Sequence, residues 1–445
     1  MTSIRANKNI KLSIAGKPSL ETEALEKPAT VGILPEKIPF IKPRLKIKVG
    51  DRVKVGSILF EDKRNPDVKF LSPGGGEVIR IDFGPRRVVK EIVIKLDEDE
   101  DFEAFDAIDE KRLESLEKDK VIAALTRGGV WPFIRSLPFR DIADPADTPH
   151  RIFVCLGAKE PFLPRPEAYL TGTTGLFNFG IRILQKLAEN VEVSVAGEDL
   201  LKALTIPAAR VFSGDYPVDD PGVQLYHIRK SSAENRSWYL DGQGVLQIAR
   251  LFKFGAYPIE RVVAVGGSHA LKRKHLRTRA GIPLSHIVGD KFEDNGGTRF
   301  IAGSIFRGYA GSMETFMGFY ENSLALISAG NTEEFFGFVR PGYSKPSFSR
   351  TFLSAFNTSE FDFDCSCHGE KRPCVNCGSC ATVCPVDILP QFTLKCILAD
   401  EIEEALSHGL LDCAECGLCT YVCPSKINLC NAFRQAKGEY YREME

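Results

Sequence analysis

The sequence predicts a multidomain chain of the α+β class, in which two β-rich units flank an α/β unit and a helical unit closes the chain. Three observations support this. The 445 residues suffice for about three domains of ordinary size. Period-two alternation, strand–helix–strand order and helical spacing each dominate a different stretch. Twelve of the thirteen cysteines lie between Cys365 and Cys430, which sets the last unit apart chemically.

Composition excludes several classes of protein. The chain is 43% hydrophobic and 26% charged, with a net charge of −1. A nucleic-acid partner is not expected, because such binders carry an excess of basic residues to neutralise phosphates. No run approaches the roughly 18 apolar residues of a membrane helix. The first residues lack the apolar segment of a secretory signal, so a cytoplasmic location and reduced thiols are expected.

The first unit, residues 1–105, is predicted to be all β. Lys46–Val49 and Val53–Val55 alternate with period two, and glycine-rich turns separate the strands. The pattern V-G-D-x-V-x-x-G-x-x-L followed by S-P-x-x-G-x-V resembles the barrel-sandwich hybrid fold of biotinyl and lipoyl domains. Lys63 and Lys69 lie where a carrier would present its modified lysine, but neither has the flanking residues of such a site. A structural role is therefore predicted.

An acidic run at Asp97–Glu103 marks the predicted end of this unit. Like charges repel one another, so such a run is typical of a solvated linker. Docking of a basic partner is the alternative interpretation.

The second unit, residues 106–255, is predicted to be a Rossmann-like α/β domain. A helix is expected over Glu114–Ala124, ended by Gly128 and Gly129. Arg151–Leu156 and the later VEVSVAG are expected to be strands separated by a helix over Phe179–Leu187, an order that favours a parallel sheet. The fingerprint G-x-G-x-x-G is missing after these strands, so an ordinary dinucleotide site is not predicted.

The third unit, residues 256–340, is predicted to be a compact α+β domain. Short strands are expected at Arg261–Val265 and in the stretches RAGIPLSHIVGD, RFIAGSIF, NSLALIS and FFGFVRPG. His269, His275 and His286 lack a cysteine or carboxylate at zinc-like spacing. They are interpreted as surface or packing residues.

The fourth unit, residues 341–445, carries the chemistry. It contains C-x2-C-x2-C-x3-C-P twice, the bacterial run that binds [4Fe–4S] clusters, in which the fourth cysteine serves the other cluster. The predicted ligands of the first cluster are Cys374, Cys377, Cys380 and Cys423. Those of the second cluster are Cys413, Cys416, Cys419 and Cys384. Gly378 and Gly417 let each loop fold closely around its cluster.

Zinc is the alternative for a single motif, but two tandem motifs with the terminal proline favour iron–sulfur clusters. The stretch Ile388–Gly409 has helical spacing, which favours an α-helical ferredoxin arrangement. The remaining thiols are predicted to be buried packing residues: Cys155, Cys365, Cys367, Cys396 and Cys430. Such clusters pass single electrons, so the chain is expected to be a relay within a larger complex and not a stand-alone catalyst.

Several stretches together resemble the NqrA family, the A subunits of Na+-translocating NADH:quinone oxidoreductases. They are IKLSIAGKP, FLSPGGGEVIRI, GGVWPFIRSLPF, FGFVRPGYSKPSFSRTFLSAF, HGEKRPCV and LCTYVCPSK. The region around RAGIPLSHIVGD is similar to the SLBB β-grasp module of this family. Familiar members keep only a remnant of the cluster motifs, whereas this chain retains all eight cysteines, as the Rnf C protein of the ferredoxin:NAD+ oxidoreductase does.

Two relatives of the family bind flavin and NADH through a loop G-x-G-G-A-G-F-P: the flavin-binding component of respiratory complex I and the Rnf C protein. The corresponding stretch here is Thr126–Phe133, with Val130 and Trp131 where small residues should stand. Of a second, glycine-rich stretch that is typical of these relatives, this chain keeps only Glu160-Pro161. The resemblance therefore implies that no FMN or NAD binds this chain.

The resemblance implies a peripheral component on the cytoplasmic face of the membrane, relaying electrons within a sodium-translocating NADH:quinone reductase. The implied partners are the membrane and flavin subunits of that complex, NqrB foremost, and a soluble electron donor. Two other functions stay open. One is an Rnf C-like protein that binds flavin, which Trp131 opposes. The other is a scaffold whose clusters are only structural.

Overall fold

The computed structural model describes residues 2–203, 205–289, 292, 296–331, 335–348 and 352–444. The described strands are β1 (Thr2–Arg5), β2 (Thr22–Ala24), β3 (Thr30–Ile33), β4 (Pro43–Leu45), β5 (Arg52–Val53), β6 (Ile58–Asp62), β7 (Lys69–Leu71), β8 (Gly76–Phe83), β9 (Val89–Leu96), β10 (Arg135–Ser136), β11 (Asp141–Ile142), β12 (Ile152–Leu156), β13 (Val191–Val195), β14 (Ala208–Ser213), β15 (Trp238–Asp241), β16 (Glu260–Gly266), β17 (His275–Arg279), β18 (Thr298–Ala302), β19 (Tyr309–Gly311) and β20 (Ser323–Ser328).

The described α-helices are α1 (Glu110–Ser115), α2 (Lys118–Arg127), α3 (Pro166–Leu170), α4 (Thr174–Leu184), α5 (Asp199–Ala203), α6 (Pro221–Ile228), α7 (Gly242–Phe254), α8 (Leu284–Val288), α9 (Ser379–Thr382), α10 (Pro390–Leu398), α11 (Ile402–Ser407), α12 (Leu418–Tyr421) and α13 (Leu429–Met444). Short 3-10 helices cover Pro35–Lys37, Pro85–Arg87, Trp131–Phe133, Ser232–Asn235, Gly337–Val339, Leu353–Phe356 and Leu410–Asp412. None of the helices in these ranges is long and apolar enough to cross a membrane.

Two small antiparallel sheets form the first unit. Their strand orders are β3-β9-β8-β5 and β4-β6-β7, and buried side chains of both sheets contribute to one hydrophobic core. Phe60 and Phe70 stack across β6 and β7 with ring centroids 4.5 Å apart. The strand predicted over Lys46–Val49 is wrong, because the strand is β4 and the chain then turns at Gly50, which has a φ of +91°.

A seven-stranded sheet of order β1-β14-β13-β12-β15-β10-β11 forms the second unit. The five strands from β1 to β15 are parallel neighbours, as the strand–helix–strand order predicts, and β10 and β11 pair antiparallel. The first strand of the chain is an unpredicted member, with Thr2 opposite Arg210. The extreme amino terminus therefore belongs to this sheet and not to the unit predicted over residues 1–105.

Helices of the second unit differ in their bounds from the prediction. The helix expected over Glu114–Ala124 is two helices, α1 and α2, because Leu116 and Glu117 are extended, with ψ of 132° and 154°. The predicted stop is confirmed, since Gly128 caps α2. The helix expected over Phe179–Leu187 begins earlier, as α4.

A six-stranded sheet of order β19-β18-β20-β16-β17-β2 forms the third unit. The stretch RAGIPLSHIVGD, predicted as a strand, instead completes β17 and forms α8, because Pro283 starts a helix. The described part of FFGFVRPG is also not a strand, since Phe336 has a φ of +53° and the Gly337–Val339 turn follows. His275 is fully buried; its Nδ1 lies 2.7 Å from the Ser19 carbonyl oxygen and its Nε2 accepts from the Arg165 amide. This agrees with the predicted packing role.

The acidic run Asp97–Glu103 is solvated only in part: Glu98, Asp99, Asp101 and Phe102 are exposed, as its charge predicts, but Glu100 is not. Glu100 is largely buried and accepts from both terminal nitrogens of Arg279 in β17, at 2.8 and 3.0 Å. It also accepts from the Gly75 amide and pairs with Lys27 at 3.0 Å. An ion pair within the chain thus joins the first unit to the third.

Two helices replace the single long helix predicted over Ile388–Gly409. α10 and α11 are separated at Asp400, whose φ of +60° no continuous helix allows. Gly409, with a φ of +87°, lies just beyond the end of α11, where the sequence predicted the helical stretch to stop.

Replacement of Arg279 should destabilise the chain through this buried pair. We expect Arg279→Met to lower the free energy of unfolding by about 3 kcal/mol, because Glu100 keeps only Lys27 as its cation. Urea denaturation followed by circular dichroism measures this change in the free energy of unfolding. Lys54→Met is the matched control: its partner Asp101 belongs to the same acidic run, but both side chains are more than half exposed and 3.8 Å apart. If Lys54→Met lowers the free energy of unfolding as much as Arg279→Met does, the stabilising role of the Glu100–Arg279 pair is contradicted.

Candidate metal centres

The two cysteine loops repeat each other's backbone. Residues with left-handed φ recur in pairs 39 positions apart: Asn376 and Glu415 (55° and 53°), Gly378 and Gly417 (78° and 78°), Asp387 and Lys426 (54° and 57°). In each copy the glycine precedes a one-turn helix, α9 or α12, and a longer helix follows, α10 or α13. The two motifs are therefore a structural duplication as well as a sequence repeat.

Two cavities lie between the duplicated halves. The first is bordered by four of the predicted ligands: Cys374, Cys377, Cys380 and Cys423. The second is bordered by the other four: Cys384, Cys413, Cys416 and Cys419. The fourth cysteine of each motif lines the cavity of the other motif. Among the described residues, no three His, Cys, Asp or Glu side chains lie close enough to hold a single metal ion.

The donors in these cavities fit an iron–sulfur cluster. The first cavity offers four thiols and the second offers five, because Cys430 also lines it; thiols are the soft ligands that such clusters require. The other walls are mainly apolar: Leu394, Ile427 and Leu429 line the first cavity, and Val386, Ile388 and Phe433 line the second. Apolar walls supply few competing ligands, so the thiols would be the ligands.

Burial differs between the two loops. Cys374 and Cys377 are exposed, whereas Cys413 and Cys416, at the same positions of the second loop, are half-buried and buried. Burial raises the pKa of Cys413 to about 12 and raises the pKa of Cys416 well above its usual value. In the first loop the Ser379 hydroxyl, 3.5 Å from the Cys377 sulfur, lowers the pKa of that thiol. Metal binding at the second loop must therefore drive the loss of the thiol protons.

A buried carboxylate between two arginines supports the second loop. Asp220 caps α6 and lies 2.8 Å from Arg140 and 2.7 Å from Arg307. Both arginines also donate to the Ala414 carbonyl oxygen, at 2.9 and 3.4 Å. Burial acts to raise the pKa of Asp220, but the two guanidinium groups outweigh it and hold that pKa at about 2. The carboxylate is therefore charged at neutral pH.

Lys437 and Tyr216 bind the remaining carbonyls of this loop. Lys437, on α13, donates to the Cys413 carbonyl oxygen at 3.2 Å and pairs with Glu415 at 2.8 Å. The Tyr216 hydroxyl donates to the Cys416 carbonyl oxygen at 2.6 Å. Cys413, Ala414 and Cys416 thus each present a carbonyl to a donor outside the loop, and the Glu415 amide lies 3.4 Å from the Cys413 sulfur. Sequence reasoning missed these donors, because none of them lies in a motif.

The other cysteines depart in part from the predicted packing role. Cys155, Cys365 and Cys396 are each half-buried and pack against a hydrophobic cluster, which agrees with the packing role but not with full burial. Cys367 is exposed, so a buried packing role is wrong for it. Cys430 is buried but lines the second cavity. The 39-residue offset could have indicated this, since its counterpart Gln391 lines the first cavity.

The stretch that corresponds to the flavin loop is filled by its own side chains. Trp131 is fully buried; its indole N–H donates to the Ala143 carbonyl oxygen at 2.7 Å and its ring meets Trp238 edge-on at 5.6 Å. Glu160, from the second family stretch, is buried and hydrogen-bonded to the Ser304 hydroxyl. The indole therefore belongs to the core of the α/β unit.

Comparison with known proteins finds family models that match successive parts of the chain. Four family models match in chain order: the NqrA N-terminal barrel-sandwich hybrid domain at residues 4–97, the NqrA second alpha/beta domain at 116–257, the NQRA C-terminal domain, an SLBB domain, at 262–311, and a 4Fe-4S dicluster domain at 373–427. The A subunit of the Na(+)-translocating NADH-quinone reductase of Pseudomonas aeruginosa is 32% identical over 412 residues, 92% of each chain. The chain belongs to the NqrA family.

Other NqrA relatives show the same coverage. The A subunits from Histophilus somni and Klebsiella pneumoniae are each 32% identical, again over 92% of both chains. A chain of the NAD+-reducing [NiFe]-hydrogenase in its H2-reduced state is 14% identical over 75% of this chain and 62% of that one, with a TM-score of 0.37, a likeness too weak to carry an argument. The predicted NqrA kinship is confirmed, as is a ferredoxin domain at the carboxyl end.

Neutralising Asp220 should be costly, because it leaves two buried arginines without their shared partner. We expect Asp220→Asn to lower the free energy of unfolding by roughly 3–5 kcal/mol at pH 7. The folded pKa of about 2 lies below the ordinary 3.8, so the wild-type advantage should shrink as the pH falls from about 4 toward 2. Asp387→Asn, at an exposed pair with Lys8, should cost about 0–1 kcal/mol. Urea denaturation measures both variants, and equal losses of unfolding free energy would refute the stabilising role of Asp220 and its two arginines.

Proposed function

We propose that this chain is the electron-relaying NqrA component of a sodium-translocating NADH:quinone reductase and holds two [4Fe–4S] clusters. The supporting observation is the exchange of cysteines between the two cavities. Each cavity is bordered by three thiols of one motif and the fourth thiol of the other. This is the ligand pattern of two-cluster ferredoxins.

The first cluster would be held by Cys374, Cys377, Cys380 and Cys423, and the second by Cys413, Cys416, Cys419 and Cys384. When bound, such a cluster accepts or gives one electron without breaking bonds in a substrate. The chain's own residues fix the loops: Gly378 and Gly417 supply the left-handed turns, and α10 and α13 close the cavities. The exchanged cysteines tie the two loops into one unit.

The first loop is the place for a soluble electron donor to approach. Cys374, Val375 and Cys377 are exposed there, with Val375 at 68%, whereas Ala414, at the same position of the second loop, is 3% exposed. A one-electron donor can therefore come close to the first cluster without any rearrangement of the chain.

The assignment extends to the partners and domains of the complex. The relatives are named as components of a Na(+)-translocating NADH-quinone reductase, so we place this chain with the membrane and flavin subunits, NqrB foremost, peripherally on the cytoplasmic face. The domains follow the predicted divisions at 1–105, 106–255, 256–340 and 341–445, with a Rossmann-like second unit and a β-grasp third unit. The strand of residues 2–5 is the exception, because it pairs within the second unit.

The purified chain should contain about eight irons and no flavin, because there are two four-iron sites and Trp131 fills the flavin loop. Anaerobic purification, iron analysis and flavin fluorescence after acid release measure both. Stoichiometric flavin would favour the Rnf C-like function. Two clusters that no one-electron reductant reduces would favour the scaffold.

Cys384→Ala tests the exchange of ligands. Although Cys384 belongs to the first motif, we expect its loss to damage the cluster of the second loop, visible as the loss of one of two electron paramagnetic resonance signals after reduction. Cys430→Ala is the matched control, since Cys430 lines the same cavity but is not a proposed ligand, and it should keep about eight irons. If Cys384→Ala damages the cluster of Cys374, Cys377 and Cys380 instead, the exchange is refuted.

A further inference from the structure

Three cations donate to carbonyls of the second cysteine loop; Lys437 is buried, and the side chains of Arg140 and Arg307 are 11% and 24% exposed. Arg140 and Arg307 donate to the Ala414 carbonyl oxygen, and Lys437 donates to that of Cys413. In the part of the chain that the structure describes, no side chain donates to the carbonyls of residues 374–377. This asymmetry interrupts an otherwise close duplication.

Carboxylates pair with each of these cations. Asp220 pairs with both arginines and Glu415 pairs with Lys437. The buried Glu160 also helps to raise the pKa of Arg307. Arg434, which is 45% exposed, reaches Glu415 as well, and Asp412 pairs with Arg229. The groups that donate to carbonyls of the second loop are nevertheless the cations and not the carboxylates.

The first loop has a different environment. Cys374, Val375, Asn376 and Cys377 are all exposed, so water screens the charges near them. Lys8 donates to the Ala381 carbonyl oxygen of this motif at 3.1 Å, but it is paired with Asp387, so the two charges cancel. Charges of the protein should therefore affect the first cluster weakly and the second cluster strongly.

We propose that Arg140, Arg307 and Lys437 raise the midpoint potential of the second cluster above that of the first. This inference rests on the proposed function. Reduction adds one negative charge to a cluster. Burial disfavours that charge, whereas nearby cations and hydrogen-bond donors turned toward the cluster favour it. One electron then leaves the first cluster, which is oxidised, and reaches the second, which is reduced. The exposed loop is the entry and the buried loop is the acceptor.

Redox titration of the whole chain, followed by electron paramagnetic resonance, tests this. The wild type should show two one-electron waves. Arg307→Gln should move the higher wave to more negative potential and leave the lower wave in place, whereas Arg307→Lys should restore most of the shift. Arg151→Gln is the matched control: Arg151 is as buried as Arg140 but pairs with Glu192 and Glu234, and its loss should move neither wave.

Three outcomes would overturn the inference: unchanged waves in Arg307→Gln, movement of the lower wave, or an equal shift in Arg151→Gln. If Arg307→Gln fails to assemble its clusters, Lys437→Gln replaces it, since Lys437 reaches the loop from another element. Lys437→Gln should also move the higher wave to more negative potential. A wild-type chain without two reducible clusters would refute the proposed function itself. Two waves whose potentials do not change when the cations are replaced would refute only this inference.

Discussion

One buried carboxylate fixes the position of the carboxyl-terminal unit on the rest of the chain. Asp220 begins a helix of the α/β unit, and its two arginines come from separate places, Arg140 from the same unit and Arg307 from the SLBB unit. Both arginines reach a carbonyl of the second cysteine loop. Three units therefore meet at a single charge, and the geometry of the loop depends on all of them.

Side chains of two other units hold the second cysteine loop. The loop is bound to the α/β and SLBB units by Tyr216, Arg140 and Arg307. The chemistry of the chain is thus concentrated at its carboxyl end. The larger units act as the support that orients this end.

The sequence allowed the chemistry to be predicted better than the architecture. Cysteine spacing is a local property, and the two ligand sets assigned from it border the two cavities. Strand order in the α/β unit was also predictable, because parallel strands alternate with helices. The ion pair of Glu100 with Arg279 was not, since 179 residues separate the partners and an acidic run ordinarily indicates exposure. Asp400 split a predicted helix through a backbone angle that its residue type does not reveal.

The strand at the amino terminus has a consequence for how the protein is made. Thr2–Arg5 are translated some two hundred residues before Ala208–Ser213, their partner in the sheet. Thr22–Ala24 pair with His275–Arg279, which are translated later still. Domains usually fold in the order of synthesis, but here the opening segment must stay unpaired while the barrel-sandwich strands that follow it assemble. A nascent chain halted before Ser213 would display a free strand edge, which a chaperone or protease could recognise.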